Sequence, residues 1–168
     1  DTGTAEIVNR GILRSDGAAI ESGASILTVT NSGKIVGDVL LGFGADIFDS
    51  RKGTVNGKVE GGDGDDDFYL GAARIRIVEA NGAGSGFDEV FSTASHKLAA
   101  NVEALHLLGN KSINASGNGA GNWLYGSEGD NALKGGGGTD YLRGFGGDDT
   151  LEGGNGQDYF VFNRAGVD

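Results

Sequence analysis

The last third of the chain repeats a nine-residue unit in which single apolar residues alternate with polar, glycine-rich stretches. The unit runs five times without a gap from Gly117 to Val161, and its first position is always glycine. Its eighth position is always apolar and is occupied by Leu124, Leu133, Leu142, Leu151 and Phe160. Five consecutive copies of one short unit predict stacked repeats, with short strands joined by glycine-rich turns.

A longer period precedes these units. A glycine, an aspartate two positions later and an apolar residue two positions after that recur at 44–48, 64–68 and 86–90. Alternating apolar segments, which predict strands, occupy residues 35–40, 55–59, 74–78 and 102–107. The stretch 97–108 also fits a short helix, but we expect a strand at 102–108.

Both periods fit one architecture. Two nonapeptides make an 18-residue coil, and 20 to 22 residues make the same coil with insertions. We therefore predict an all-β fold, a right-handed parallel β-solenoid whose coils stack about 4.8 Å apart. Residues 1–116 would form the irregular coils and residues 117–161 a regular roll continuous with them, and residues 162–168 would begin a C-terminal cap.

The composition makes such a chain costly to order. It has 34 glycines in 168 residues and a formal net charge of −11, so backbone entropy and charge repulsion both oppose folding. Its acidity argues against binding to nucleic acid or to anionic membrane surfaces. No apolar run approaches the ~18 residues of a transmembrane segment. The lack of cysteine excludes disulfides and thiolate metal sites, and the lack of methionine leads us to expect a processed or excised piece.

The sixth position of the nonapeptide carries candidate metal chemistry, because residues two units apart stack on the same edge of a solenoid. Two carboxylates ~5 Å apart repel by about 1 kcal/mol in water, and a cation between them reverses the sign of that interaction. Calcium takes six to eight oxygens at ~2.3–2.6 Å, which suits an ion between coils, whereas magnesium demands shorter distances and retains its waters. The alternative is that aspartate occurs only for its turn propensity.

We therefore predict several bound calcium ions, held by side chains and by backbone oxygens of the turns. The predicted side-chain ligands are Asp46, Asp66, Asp88, Asn122, Asn131, Asp140, Asp149 and Asp158. The predicted turn positions are Gly135, Gly137, Gly144, Gly146, Gly153 and Asn155. Glycine lets the backbone turn sharply and direct its carbonyl oxygens towards an ion.

The nonapeptides resemble the Gly-Gly-x-Gly-x-Asp-x-apolar-x repeat of the RTX (repeats-in-toxin) proteins. Residues 135–161 are a close match, 61–68 match one unit, and 87–109 are similar to a segment that precedes the repeats in large secreted RTX proteins. The resemblance implies a parallel β-roll, calcium between the turns, and type I export from a Gram-negative bacterium, with folding outside the cell. Asn122 and Asn131 depart from the pattern, so their turns are expected to bind calcium more weakly.

An aromatic strip gives a second functional hypothesis. Trp123, Tyr141 and Tyr159 all stand at position seven of their units, two units apart, and are expected to stack on one outer face together with Tyr125 and Arg143. Such a face suits an extracellular polysaccharide or a neighbouring domain. The alternative is cross-strand aromatic pairing that only covers a glycine-rich sheet.

Nothing in the sequence indicates catalysis. No nucleophile elbow or Walker loop occurs, and His96 and His106 lack the spacing of a zinc site. The acidic segment 60–67 fails as an EF-hand, because Phe68 and Arg74 replace the glycine and glutamate that such a loop requires, and its other acids fit a solvated loop. We predict a non-enzymatic calcium-binding module whose parent protein could itself be an enzyme.

Overall fold

The chain is a stack of coils in which parallel strands form three sheets. The computed structural model describes residues 3–23, 26–71, 74–82 and 84–162, and these contain 18 strands and no helix. Every strand pairing among them is parallel. The predicted parallel β-solenoid is confirmed. No helix in these ranges could cross a membrane.

One sheet runs the length of the stack and the other two divide its opposite side. The long sheet contains β1 (Thr4–Asn9), β3 (Ile26–Asn31), β5 (Ile47–Ser50), β8 (Asp67–Leu70), β10 (Glu89–Ser92), β12 (Ala104–Leu107), β14 (Trp123–Tyr125), β16 (Tyr141–Arg143) and β18 (Tyr159–Val161). The second sheet contains β2 (Ile12–Glu21), β4 (Lys34–Phe43), β6 (Thr54–Asn56), β7 (Lys58–Asp63) and β9 (Arg76–Val78). The third contains β11 (His96–Lys97), β13 (Ala115–Ser116), β15 (Ala132–Gly137) and β17 (Thr150–Asn155).

Each of the four apolar segments predicted as strand contains strand, but the bounds differ. β4 covers 35–40, β6 and β7 divide 55–59 at Gly57, and β9 and β12 occupy only part of 74–78 and of 102–108. Residues 104–107 are strand, and the helical alternative for 97–108 is wrong. The long sheet passes from the irregular coils into the nonapeptide coils through β12 and β14, which pair directly. The division at residue 116 stays a prediction. Residues 163–168, where we expect the cap, lie outside the described residues.

A ladder of apolar side chains in the long sheet forms the centre of the core. In successive coils its members are Ile7, Val29, Phe48, Phe68, Val90, Leu105, Leu124, Leu142 and Phe160. All of them from Val29 to Leu142 are fully buried, and Phe160 in the last described coil is half-exposed. The predicted core position of the nonapeptide is confirmed for Leu124, Leu133 and Leu142, which have no exposed surface.

The glycine of the longer motif is required by the stacking of the turns. Gly44, Gly64 and Gly86 have φ values of 98°, 114° and 88°, in the left-handed region that glycine adopts without strain. A Cβ atom on Gly64 would collide with the carbonyl group of Gly44, and one on Gly86 with that of Gly64. Each later coil can therefore approach the preceding one only if its own turn carries glycine at this position.

A ladder of buried amides ties the first coils together at the end of the long-sheet strands. The Asn9 side-chain nitrogen donates to Asn31 Oδ1 at 2.9 Å, and the Asn31 nitrogen donates to Ser50 Oγ at 2.9 Å. The Oδ1 atoms of the two asparagines also accept the backbone N–H groups of Gly11 and Gly33. An amide both donates and accepts, so these asparagines satisfy their polar atoms with neighbouring side chains and backbone groups and need no metal.

The core ladder predicts a large effect of truncating Phe68. Phe68 is 0% exposed and packs between Phe48 and Val90, so Phe68→Ala should lower the free energy of unfolding by about 3–5 kcal/mol. Urea unfolding at saturating calcium measures this change. Phe43→Ala is the matched control, since Phe43 is 64% exposed, and its effect should stay within about 1 kcal/mol. Equal effects of the two substitutions would contradict the core assignment.

Candidate metal centre

A column of polar side chains runs along one edge of the long sheet. Its members each stand directly before a long-sheet strand and are Asp46, Asp66, Asp88, Glu103, Asn122, Asp140 and Asp158. Parallel strands begin at the same edge of a sheet, so these side chains lie one coil above another. A shorter column at the start of β15 and β17 contains Asn131 and Asp149.

One oxygen of each carboxylate in the column is held by the backbone of the preceding coil. The Asp46 N–H donates to Asp66 Oδ1 at 2.8 Å, and the Asp66 N–H donates to Asp88 Oδ1 at 2.9 Å. The same bond joins Asn122 to Asp140 at 2.7 Å. Hydrogen bonds from backbone amides fix the orientation of each carboxylate, so the position of its second oxygen is fixed as well.

The second oxygens are buried and have no hydrogen-bond partner. This is true of the Oδ2 atoms of Asp46, Asp66, Asp88 and Asp140, and these four residues are at most 1% exposed. An ionised carboxylate removed from water and left unpaired is strongly unfavourable. Each of these oxygens therefore requires either a proton or a cation.

Burial raises the pKa values of these groups. The pKa is raised from 3.8 to about 6 for Asp46, to about 8 for Asp66 and to about 7 for Asp88, with desolvation as the largest cause in each case. Neighbouring carboxylates add to the shift at Asp66, and burial also raises the pKa of Asp140. Near neutral pH, protons and metal ions therefore compete for these carboxylates.

The two asparagines of the nonapeptide run are satisfied differently. Asn122 Nδ2 donates to the Val102 carbonyl at 3.0 Å, and Asn131 Nδ2 donates to the Ile113 carbonyl at 2.6 Å. Each amide nitrogen donates to a carbonyl oxygen, and the oxygen of an aspartate at the same place would repel that carbonyl. This pairing supports the prediction that these two turns bind calcium more weakly.

The predicted turn glycines lie against the aspartates of their own units. A Cβ atom on Gly135, Gly144 or Gly153 would occupy the space beside the Oδ2 atom of Asp140, Asp149 or Asp158, respectively. Gly137 and Asn155 are register partners at the ends of β15 and β17, while Gly146 donates its N–H to the carbonyl oxygen of Ser127 in the preceding coil. Space for an ion beside these oxygens therefore depends on glycine at position one.

The donor set is entirely oxygen, and this chemistry fits calcium. Asp66 and Asp88 are brought together with Glu79, and the three carboxylates place ligand atoms within 4.8 Å of one another. Asp149 and Asp158 are only half-buried. Their assignment, like that of the other predicted ligands, stays a prediction.

Two acidic residues near the column were not predicted from the sequence. Glu103 accepts the Asp88 N–H at 2.8 Å through Oε2 and so continues the column with a glutamate. Glu79 is buried, its Oε1 has no partner, and burial raises its pKa from 4.5 to about 8. The signal for Glu79 was its position 18 residues after Gly61, where a nonapeptide would have glycine.

The remaining acids and the histidines have other surroundings. Asp63 and Asp65 are exposed, and Asp65 accepts the Phe87 N–H at 2.8 Å. His96 is buried, and desolvation lowers its pKa. His106 lies in the outer face of the long sheet, with its Nε2 atom 3.6 Å from Glu89 Oε1.

The outer face of the long sheet carries two aromatic columns. Trp123, Tyr141 and Tyr159 are register partners, as the sequence predicts, and Trp123 is 50% exposed. A neighbouring column, which was not predicted, contains the stacked rings of Tyr69, Phe91, His106 and Tyr125 at centroid distances of 4.5–4.6 Å. A surface depression is lined by Trp123, Tyr125 and Tyr141.

Comparisons with known proteins agree with this architecture. The sequence model of the RTX calcium-binding nonapeptide repeat matches residues 58–73, 116–144 and 125–160, in 4 copies. The chain is similar to the endo-1,3-1,4-beta-glycanase ExsH of Rhizobium meliloti (strain 1021), with 40% identity over 82 residues, which are 49% of this chain and 15% of that protein. The chain thus spans a small part of this relative's length. No solved structure matches it.

The matched segments carry part of the site. They contain the turns of Asp66, Asp140, Asp149 and Asp158, and the Oδ2 atoms of Asp66 and Asp140 are buried without a partner. Asp46, Glu79, Asp88 and Glu103 lie outside them. RTX repeats are calcium-binding elements without catalytic function, so the chain is a calcium-binding module. Residues 58–73 and 116–160 carry RTX calcium-binding nonapeptide repeats, and the parallel solenoid that contains them has the architecture of an RTX β-roll.

Proposed function

We propose that the chain is a non-enzymatic module of a secreted bacterial protein, exported by a type I system, and that calcium binding outside the cell drives its folding. The observation that carries this proposal is the column of buried carboxylates with unpaired oxygens, namely those of Asp46, Asp66, Asp88 and Asp140. Without a cation these groups oppose folding at neutral pH. With one ion between successive coils, the same groups hold the coils together.

The concentration of calcium then decides the state of the chain. Extracellular calcium modules have dissociation constants of ~10⁻⁴–10⁻³ M, so they bind little metal inside a calcium-poor cell. One site at a 100-fold excess of calcium contributes about 2.7 kcal/mol of stability. Several such sites amount to a large share of the ~5–15 kcal/mol that stabilises an ordinary domain. Export of an unfolded chain and folding after export follow from this difference.

The aromatic face favours a second candidate function, the binding of a polysaccharide. Trp123 is half-exposed and borders the depression shared with Tyr125 and Tyr141, and flat aromatic rings suit the apolar faces of sugar rings. The similarity to a protein named as an endo-1,3-1,4-beta-glycanase supports a glycan as ligand. In this proposal the calcium-folded roll presents the face, and the parent protein uses it at an extracellular polymer.

Removing calcium should unfold the chain. We expect that EDTA abolishes the β-type circular dichroism spectrum, because the carboxylate columns then repel at neutral pH. Excess calcium should restore it, while an equal concentration of magnesium should restore it less, since magnesium requires shorter ligand distances. A spectrum that EDTA leaves unchanged would refute the proposal.

Acidification should have opposite effects on the metal-free and calcium-loaded chains. The raised pKa values of Asp66 and Asp88 mean that protonation stabilises the metal-free fold, and this stability is lost as the pH rises through about 7 to 8. Lowering the pH from about 8.5 to about 5.5 should therefore restore part of the β-type circular dichroism signal that chelator-treated protein lacks at pH 8.5. The stabilisation by added calcium should shrink over the same range, because protons compete for the ligands.

The control for this pH effect is Asp66→Asn, which removes one titrating group and should reduce the pH dependence of that signal. Circular dichroism of the wild type and the variant at both pH values, with and without calcium, measures the effect. The pKa assignment is wrong if the β-type signal of the metal-free wild-type chain falls steadily from about pH 8.5 to about pH 5.5.

Glycan binding is testable through the single tryptophan. Titration of the calcium-loaded chain with a β-1,3-1,4-linked glycan should change Trp123 fluorescence. Trp123→Ala should weaken binding, measured by calorimetry, at least ~10-fold, which corresponds to about 1.4 kcal/mol. Phe43→Ala is the control, since Phe43 is also an exposed aromatic residue, at 64%, but lies outside this face. Full binding by a folded Trp123→Ala variant would exclude the aromatic face as the site.

A further inference from the structure

Three carboxylates from two consecutive coils converge upstream of the nonapeptide run. They belong to Asp66 in the turn before β8, Glu79 directly after β9 and Asp88 directly before β10, and their ligand atoms lie within 4.8 Å of one another. All three residues are more than nine-tenths buried. The described residues contain no other group of three such side chains at this spacing.

Each of these carboxylates uses one oxygen for the backbone and leaves the other without a partner. The Oδ1 atoms of Asp66 and Asp88 accept the N–H groups of Asp46 and Asp66, and Glu79 Oε2 accepts the Gly62 N–H at 3.2 Å. The unpaired atoms are Asp66 Oδ2, Asp88 Oδ2 and Glu79 Oε1. The backbone bonds orient the carboxylates, so the unpaired oxygens are held in place before any ligand arrives.

The space beside these oxygens is kept open by Gly61. A Cβ atom at Gly61 would collide with Asp66 Oδ2 and with both oxygens of the Glu79 carboxylate. Gly61 is not in the left-handed region of φ. Glycine is therefore needed here to leave space for the carboxylates, and not to allow an unusual backbone conformation.

We propose that Asp66, Glu79 and Asp88 form one calcium site that binds more tightly than the nonapeptide turns and is occupied first. This inference rests on the proposed calcium-dependent function and adds a ligand, Glu79, from a position where the nonapeptide has glycine. A nonapeptide turn of this chain offers one or two carboxylates to an ion, and the turns of Asn122 and Asn131 include a neutral amide. Calcium affinity rises with the number of charged ligands and with the rigidity of the site.

The spacing suits calcium. Two oxygens on opposite sides of a calcium ion are ~4.6–5.2 Å apart. Three oxygens that lie within 4.8 Å of one another can therefore all contact a single calcium ion. Three buried negative charges also exceed the charge of one divalent ion, so the site holds its metal strongly and is costly to leave empty.

Calcium affinity of two variants tests the assignment. Glu79→Gln removes the charge and preserves the size of the side chain, and Gly61→Ala leaves all charges in place but fills the space. The full chain is titrated with calcium, and binding is measured by calorimetry and by competition with a chromophoric chelator. The wild type should show one site at least ~10-fold tighter than the rest. Both variants should lose this tight site and retain the weaker ones.

Matched controls separate the site from general effects of substitution. Glu152→Gln removes an exposed glutamate paired with Lys134, and Gly17→Ala adds a methyl group where no atom lies within 4 Å. Both controls should keep the tight site within about twofold of the wild type. Circular dichroism at excess calcium verifies that each variant is folded. If Glu79→Gln does not fold, Gly61→Ala decides in its place.

The possible failures are distinguishable. If the wild-type chain binds no calcium, the proposed function itself fails. If the wild type binds calcium but either folded variant keeps its tightest site unchanged, the function stands and the assignment of Glu79 is wrong. A site that takes up magnesium as tightly as calcium would also overturn the proposal.

Discussion

The solenoid depends on what happens to one carboxylate oxygen per coil. Close stacking of parallel coils brings each acidic turn directly above another, and the backbone amides of one coil can satisfy only one of the two oxygens in the next, as in Asp46, Asp66 and Asp88. The other oxygen is buried without a partner by the same stacking. Under the proposed function, stacking and ion binding are one event, since these charges oppose the close approach of the coils until a cation neutralises them.

The same constraint explains the composition. Glycine at position one of the nonapeptide gives room beside the Oδ2 atoms of Asp140, Asp149 and Asp158. Glycine at the longer turns lets Gly64 pass directly over Gly44. The core contains buried apolar side chains from the long sheet, such as Phe68, and from the other two sheets, such as Val59 and Leu133. Under the proposed function, the acidic residues behind the net charge of −11 supply the ligands that add the remaining stability.

In the nonapeptide run, the register of the strands and the direction of their side chains were predictable from the sequence. A strict period of nine residues defines register, so the inward position of Leu124, Leu133 and Leu142 and the outward position of Trp123 follow directly. In the irregular half the coils differ in length, and spacing alone does not reveal which residues become neighbours. Glu103 enters the column through a short coil of 15 residues after Asp88, and the same short coil brings Phe91 against His106. Glu79 keeps the regular spacing of 18 residues from Gly61 but stands where a nonapeptide would have glycine.

The asparagine turns have a consequence for how such a solenoid changes over evolutionary time. Asparagine and aspartate have nearly the same shape, yet Asn122 and Asn131 satisfy their coils with a nitrogen where aspartate would need a metal. The amide ladder of Asn9 and Asn31 does the same at the other end of the molecule. Exchange of one oxygen for one nitrogen can therefore free a single coil from its metal without altering the path of the backbone. The response of the whole solenoid to its surroundings can be adjusted in this way, one coil at a time.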